Sequence, residues 1–173
     1  MKKSFSVFLA LAIAISLPAL TGCESKGESD ELPVLTQLVV GFDDSLEPMG
    51  FHDPDTGELT GFDIDLANAV GDELGIKIIF QPINWEGSSP ESMEAELHDQ
   101  NVDCIWSGLA KTPEREESMT LSKPYLSIGE IDYVIGFRKD DTVLCATVDQ
   151  AIKSLQKNGT ADALSEKWFG EDV

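Results

Sequence analysis

The chain has 173 residues, with 32 aspartates and glutamates against 12 lysines and arginines, for a formal net charge of −20. So acidic a balance argues against nucleic acid and anionic lipid heads as docking partners, because both need basic patches; it suits solubility at a crowded anionic surface and identifies no ligand. The two histidines, His52 and His98, lie far apart with no Cys or His neighbour at metal spacing. There is no phosphate-binding glycine loop, no nucleophile-elbow serine and no C-x-x-C, so neither a metal nor a cofactor is expected.

The first 22 residues read as a targeting segment. Lys2 and Lys3 form a basic start, and residues 5–17 are an apolar run too short to span a bilayer. Leu20-Thr21-Gly22-Cys23 resembles the lipobox of bacterial lipoproteins. The resemblance implies a signal peptide over residues 1–22, lipidation of Cys23, and an extracytoplasmic protein held to the cell membrane by its lipid anchor. The plainer alternative is an ordinary secretory leader with a chance cysteine. Losing the segment removes two lysines and no acid, which leaves the remainder more acidic still. Residues 23–36 are polar and read as a flexible tether.

The remainder has the length of one domain. Residues 38–42 read as a strand, and Asp43-Asp44-Ser45 starts the loop after it, where Asp43 can bond its own backbone in a turn. Residues 48–51 and 59–61 suggest a hairpin around Asp53-Pro54-Asp55-Thr56-Gly57. The clearest helix covers residues 63–74, with Leu66, Val70 and Leu74 on one face. Asp63 and Asp65 occupy its first turn, where the helix dipole favours acids; Asp63 is given that structural role and no chemistry. Residues 77–82 form the next strand, followed by Trp85, which either packs on the loop rim or lines a ligand. Residues 91–100 form a helix with Met93 and Leu97 one turn apart.

Residues 102–106 read as a short buried strand. Gly108 follows, where a missing side chain lets a ligand approach the backbone. Thr112-Pro113 opens a helix, the threonine as cap and the proline at the first position, with Arg115 in the first turn. These parts make a good pocket for a carboxylate. From the residues alone an equal alternative stands, in which Arg115 pairs with Glu116 or Glu117. Residues 133–139 read as another strand, close after residues 123–126. A helix over residues 141–158 carries Leu144, Val148, Ile152 and Leu155 as its buried stripe, and Thr160 is expected to cap a last short helix ending in Trp168-Phe169. Cys104 in a strand and Cys145 on a helix are read as two thiols buried apart, though an oxidising compartment permits pairing.

Three stretches carry a family resemblance. Residues 103–125, DCIWSGLAKTPEREESMTLSKPY, resemble the signature of family 3 periplasmic solute-binding proteins, the polar amino-acid receptors of ABC importers. Gly61-Phe62-Asp63-Ile64-Asp65-Leu66 is similar to a second hallmark, and Asn158-Gly159-Thr160 with Lys167-Trp168-Phe169-Gly170 to a third. The resemblance implies an α/β fold of the type II periplasmic binding protein kind, with a central mixed sheet of about five strands flanked by helices. It implies that Arg115 takes a ligand α-carboxylate, that the backbone of Ser107 and Gly108 lines the carboxylate and ammonium, and that Asp43 and Trp85 face the ligand side chain. Leu46 stands where the family usually has an aromatic residue, and Ala110 where it has a hydroxyl.

In the family a second lobe intervenes between two crossover strands that are antiparallel neighbours, and the resemblance implies that a short turn at Ile128-Gly129-Glu130 joins them here as a hairpin. Here only residues 127–132 separate them, so residues 37–173 are expected to form a solute-binding lobe without its partner lobe. The expected function is binding of a small polar solute, an amino acid, for an ABC permease in the membrane. The alternative is a one-lobe interaction module or degenerate product without transport-competent binding. Some dehydratases share the fold, but enzymatic turnover needs acid–base groups in a closed cleft, and no enzyme is expected. A homodimer covering the open face is a further expectation.

Overall fold

The computed structural model describes residues 35–83 and 90–170. Its centre is a five-stranded mixed sheet in the order β5-β1-β6-β10-β7. The strands are β1 (Gln37–Phe42), β5 (Lys77–Pro82), β6 (Cys104–Ile105), β7 (Thr120–Leu121) and β10 (Gly136–Phe137). β1 runs parallel to β5 and β6, whereas β10 is antiparallel to β6 and β7. Two small antiparallel sheets flank it: β2 (Ser45–Leu46), β3 (Gly50–His52) and β4 (Leu59–Thr60), and the hairpin of β8 (Leu126–Ile128) with β9 (Ile131–Tyr133).

Alternation along β1 sends side chains to opposite faces of the sheet. Leu38, Val40, Cys104 and Phe137 join the apolar cluster completed by helices α1 (Phe62–Leu74), α4 (Thr142–Lys157) and α5 (Thr160–Phe169). Ile105 enters a second cluster with Met93 and Leu97 of α2 (Pro90–His98), close to α3 (Pro113–Ser118). Helices therefore cover both faces, as an α/β layer arrangement requires. Cys104 and Cys145 are both buried and free, and burial pushes both thiols up, so they stay protonated and inert.

Three local expectations change. The strand expected over residues 102–106 pairs only at Cys104–Ile105. The strand expected over residues 133–139 divides into β9 and β10, because the Ile135 N–H donates to the Ser122 hydroxyl at 2.7 Å instead of to a strand neighbour. Thr160 does not cap α5: Gly159 occupies that position, and Asn158 Oδ1 takes the Thr160 N–H at 3.0 Å.

The first turn of α1 sets the position of everything near the site. No side chain caps it; the Phe62 and Asp63 N–H groups donate to the Pro48 and Met49 carbonyls at 2.8 and 2.9 Å. Gly61 permits this approach with φ +139°, and a Cβ there would lie 2.2 Å from the Met49 oxygen. From the opposite end of the chain, Lys167 Nζ and the Trp168 indole N–H donate to Asp65 Oδ2 at 2.6 and 2.8 Å. Gly61→Ala is expected to cost at least ~2 kcal/mol, from a backbone conformation closed to alanine plus backbone overlap. Chemical denaturation checks this; a midpoint unchanged from wild type would contradict it.

Candidate ligand-binding site

Two loops come together, one after β1 and one running from β6 to α3. Asp43 follows β1. Its N–H donates to the Ser107 hydroxyl at 3.1 Å, tying the loop after β1 to the loop after β6. Its carboxylate Oδ1 accepts the Ser45 N–H at 2.9 Å and the Ser45 hydroxyl at 2.6 Å. This is the turn that the sequence allowed for Asp43. Ser107 is fully buried, so its side chain joins the loops and any ligand contact falls to its backbone.

Gly108 adopts φ +57°, the left-handed region. A Cβ there would lie 2.9 Å from Leu46 Cδ2 and 3.4 Å from Met49 Cγ, so Leu46 sits directly over the glycine. The Gly108 N–H points inward and donates to Asp63 Oδ2 at 2.7 Å.

Asp63 is the residue that sequence reasoning missed at this site. It is 1% exposed. The Tyr125 hydroxyl and the Trp106 indole N–H face its carboxylate, although neither completes a well-aligned hydrogen bond and Asp63 Oδ1 has no such partner. Burial pushes the Asp63 carboxyl up from its ordinary 3.8 to about 7, against the pull of the Gly108 N–H, Tyr125 and Trp106. Burial, with the nearby Asp63 charge, also raises the Tyr125 phenol well above its usual range. A signal for Asp63 was present: it lies three and four residues before the buried Leu66 and Ala67, on the inward face of α1.

Arg115 lies in α3, capped as expected by Thr112, whose hydroxyl accepts the Arg115 N–H at 3.4 Å, with Pro113 at the first position. Its Nη1 donates to the Ala110 carbonyl, which carries the guanidinium to the same loop as Ser107 and Gly108. Among the described residues no carboxylate pairs with it; Glu116 pairs with Lys111 at 3.0 Å. The guanidinium is partly buried, and that burial lowers its pKa. Asp43, Ser107 and Gly108 therefore meet directly, and Arg115 joins them through Ala110. Trp85 and Cys23 lie outside the described residues. Among the described residues no group of three or more His, Cys, Asp or Glu is placed to hold a metal ion.

The loop between β6 and α3 thus brings a partly buried guanidinium to a glycine turn beside the central sheet. Residues 38–171 match the model of the bacterial extracellular solute-binding proteins, family 3, and the chain belongs to that family. An L-cystine-binding protein of Bacillus subtilis is 31% identical over 137 residues, which take in 72% of this chain and 48% of that protein. The chain spans about half the length of the curated relatives it matches. Among solved structures, a substrate-binding protein of an ABC uptake transporter from Streptococcus pneumoniae with bound histidine superposes with a TM-score of 0.71 at 25% identity, covering 79% of this chain and 94% of that one. A mutant of the arginine-bound form of domain 1 from TmArgBP gives a TM-score of 0.63 at 30% identity, covering 70% of this chain and 92% of that one. The central five-stranded mixed sheet with helices on both faces is thus that of the type II periplasmic binding proteins.

Asp63 gives the fold a pH dependence of definite sign. Its folded-state value lies above its unfolded one, so the folded protein keeps a proton that the unfolded chain has lost. This contribution to stability is fully present below about pH 4, falls as pH rises and is gone above about pH 7. Wild type is therefore expected to lose stability relative to Asp63→Asn across that window. Urea denaturation at a series of pH values checks this, and parallel profiles for the two proteins would contradict it.

Proposed function

We propose that this chain binds an amino acid outside the cytoplasm for an ABC-type importer, holding the ligand α-carboxylate on Arg115. The observation that carries the reading is a partly buried guanidinium that no described carboxylate pairs with directly: Glu114 attracts it only at longer range, and Glu116 turns to Lys111. Arginine offers a planar fork of donors that matches a carboxylate two-on-two. The names of the relatives, an L-cystine-binding protein and a probable histidine-binding protein, and the arginine-bound domain 1 among the neighbours support the same ligand class. Asp43 and Trp85 are proposed to face the ligand side chain, and Ser107 and Gly108 to line its backbone end.

The finer reading is a lipid-anchored receptor reduced to one lobe. Its support is the lipobox-like stretch ending at Cys23, the half-length match to relatives, and the hairpin that closes the chain where a second lobe would begin. On that hairpin Ile128 and Ile131 are 41% and 48% exposed, and a second copy of the chain is the proposed cover for this face. The competing reading, a module without ligand, draws on Leu46, which occupies the space above Gly108.

Titration calorimetry of residues 25–173 with arginine, histidine and cystine tests the proposal. Saturable binding is expected, weakened roughly tenfold or more by Arg115→Ala, the loss of a charge-assisted pair. The same variant is expected to keep its stability to within about 1 kcal/mol, because its side chain gives the described fold one hydrogen bond, to Ala110, and a solvent-screened attraction to the exposed Glu114. No binding at millimolar ligand by a folded protein would overturn the proposal.

A further inference from the structure

The ligand-facing groups named above do not explain why a carboxylate is buried directly behind them. Asp63 is fully enclosed, accepts the Gly108 N–H at 2.7 Å, and belongs to a helix whose own N–H groups are already tied to Pro48 and Met49. A buried acid in an apolar setting is costly unless it is well satisfied, and here one oxygen is only partly so. What the carboxylate fixes is specific. Gly108 holds a left-handed φ of +57° beneath Leu46, and Asp63 supplies the partner for its part-buried N–H.

We propose that Asp63 is a positioning residue for the ligand site: its carboxylate holds the Gly108 N–H, fixes the Ser107–Gly108 turn, and so makes amino-acid affinity depend on a group that the ligand does not touch. The inference rests on the reading of that loop as the ligand site. The facing groups come from three places. Trp106 lies at the end of β6, Tyr125 precedes β8, and the Gly108 amide is in the loop itself. Tyr125 is the titratable one among them, and burial keeps its phenol protonated at neutral pH. Asp65, on the same helix, is engaged with Lys167 and Trp168 instead. An ionised acceptor makes the stronger hydrogen bond to an amide, roughly twice that of a neutral one. The turn is therefore held most firmly when Asp63 is charged, and loosens as it takes up a proton.

The test uses the ligand-free protein first. Amide NMR of residues 25–173 is expected to show the Gly108 amide and the Trp106 indole N–H titrating together with a midpoint near 7. Both are expected to be flat in Asp63→Asn. Tyr125→Phe, which leaves the acid in place but removes a group that lowers its pKa, is expected to move the midpoint upward. Tyr125→Phe also keeps the test decisive if the asparagine variant does not fold. In a second arm, arginine is the probe, since its own charges do not change over this range. Affinity is expected to be roughly fivefold weaker at about pH 5.5 than at about pH 8 in wild type, and independent of pH in Asp63→Asn. A Gly108 amide that ignores pH, or a titration identical in Asp63→Asn, would overturn the proposal, as would an asparagine variant with the wild-type affinity profile. A wild type that binds no amino acid defeats the site reading instead, and the ligand-free titration then decides whether Asp63 holds the turn.

Discussion

One hydrogen bond organises the molecule: the buried Asp63 carboxylate accepting the Gly108 N–H across 45 positions of sequence. Around it the three sequence signatures become one piece of structure. Phe62 stacks near Tyr125, with ring centres 6.3 Å apart, and meets Phe169 edge-on at 5.1 Å, while Trp106 lies 5.7 Å from Tyr125. Successive helix residues turn by about 100°, so Asp63 and Asp65 point to nearly opposite sides of α1. The first serves the loop after β6; the second accepts Lys167 and Trp168 from α5. A single helical turn thus links the site to the end of the chain.

Under the proposed function, the arrangement sets stability against ligand binding. Desolvating Asp63 weakens the fold where the acid is ionised, yet ionised is the state that grips Gly108 best. Strain of this kind persists where surrounding structure holds it in place, here through Pro48, Met49 and the aromatic cluster. The hairpin supports the same loop from the other side. Its β9 strand pairs with β8 and also bridges Ala110, with the Lys111 N–H donating to the Asp132 carbonyl at 2.8 Å. The backbone beyond Arg115's anchor at Ala110 is therefore satisfied within this lobe. In the proposed one-lobe site a ligand would stay wet on one side, and solvent weakens the pair it makes with the partly buried Arg115. Affinity in such a site depends on how well the loop is pre-set, which gives Asp63 its weight.

Much of this was legible before any coordinates. Apolar periodicity located α1 and α4 nearly to the residue, because each buries one regular face, and the apolar run of the half-buried edge strand β5 marked it as well. Thr112-Pro113 marked the start of α3 through cap chemistry. What the sequence left open was which partner each charge would choose. Arg115 has three glutamates within two positions, and only the folded geometry shows Glu116 turning to Lys111. The helix dipole alone gives Asp63 a sufficient structural role in the first turn, and that role hides what its spacing from Leu66 and Ala67 implies, an inward-facing acid. The break between β9 and β10 was illegible for a similar reason. It depends on Ser122, thirteen residues away, offering a hydroxyl to Ile135.

The central claim is that the loops carrying Asp43, Ser107, Gly108 and Arg115 form a working amino-acid site on one lobe. The most direct measurement is a map of amide and guanidinium NMR shifts as arginine is added to residues 25–173. The account predicts saturable shifts concentrated on those four residues and their immediate neighbours, including the Arg115 side chain. Shifts confined to another surface, such as the groove along α4 near Lys123 and Lys153, or no shifts at all from a folded protein, would contradict it.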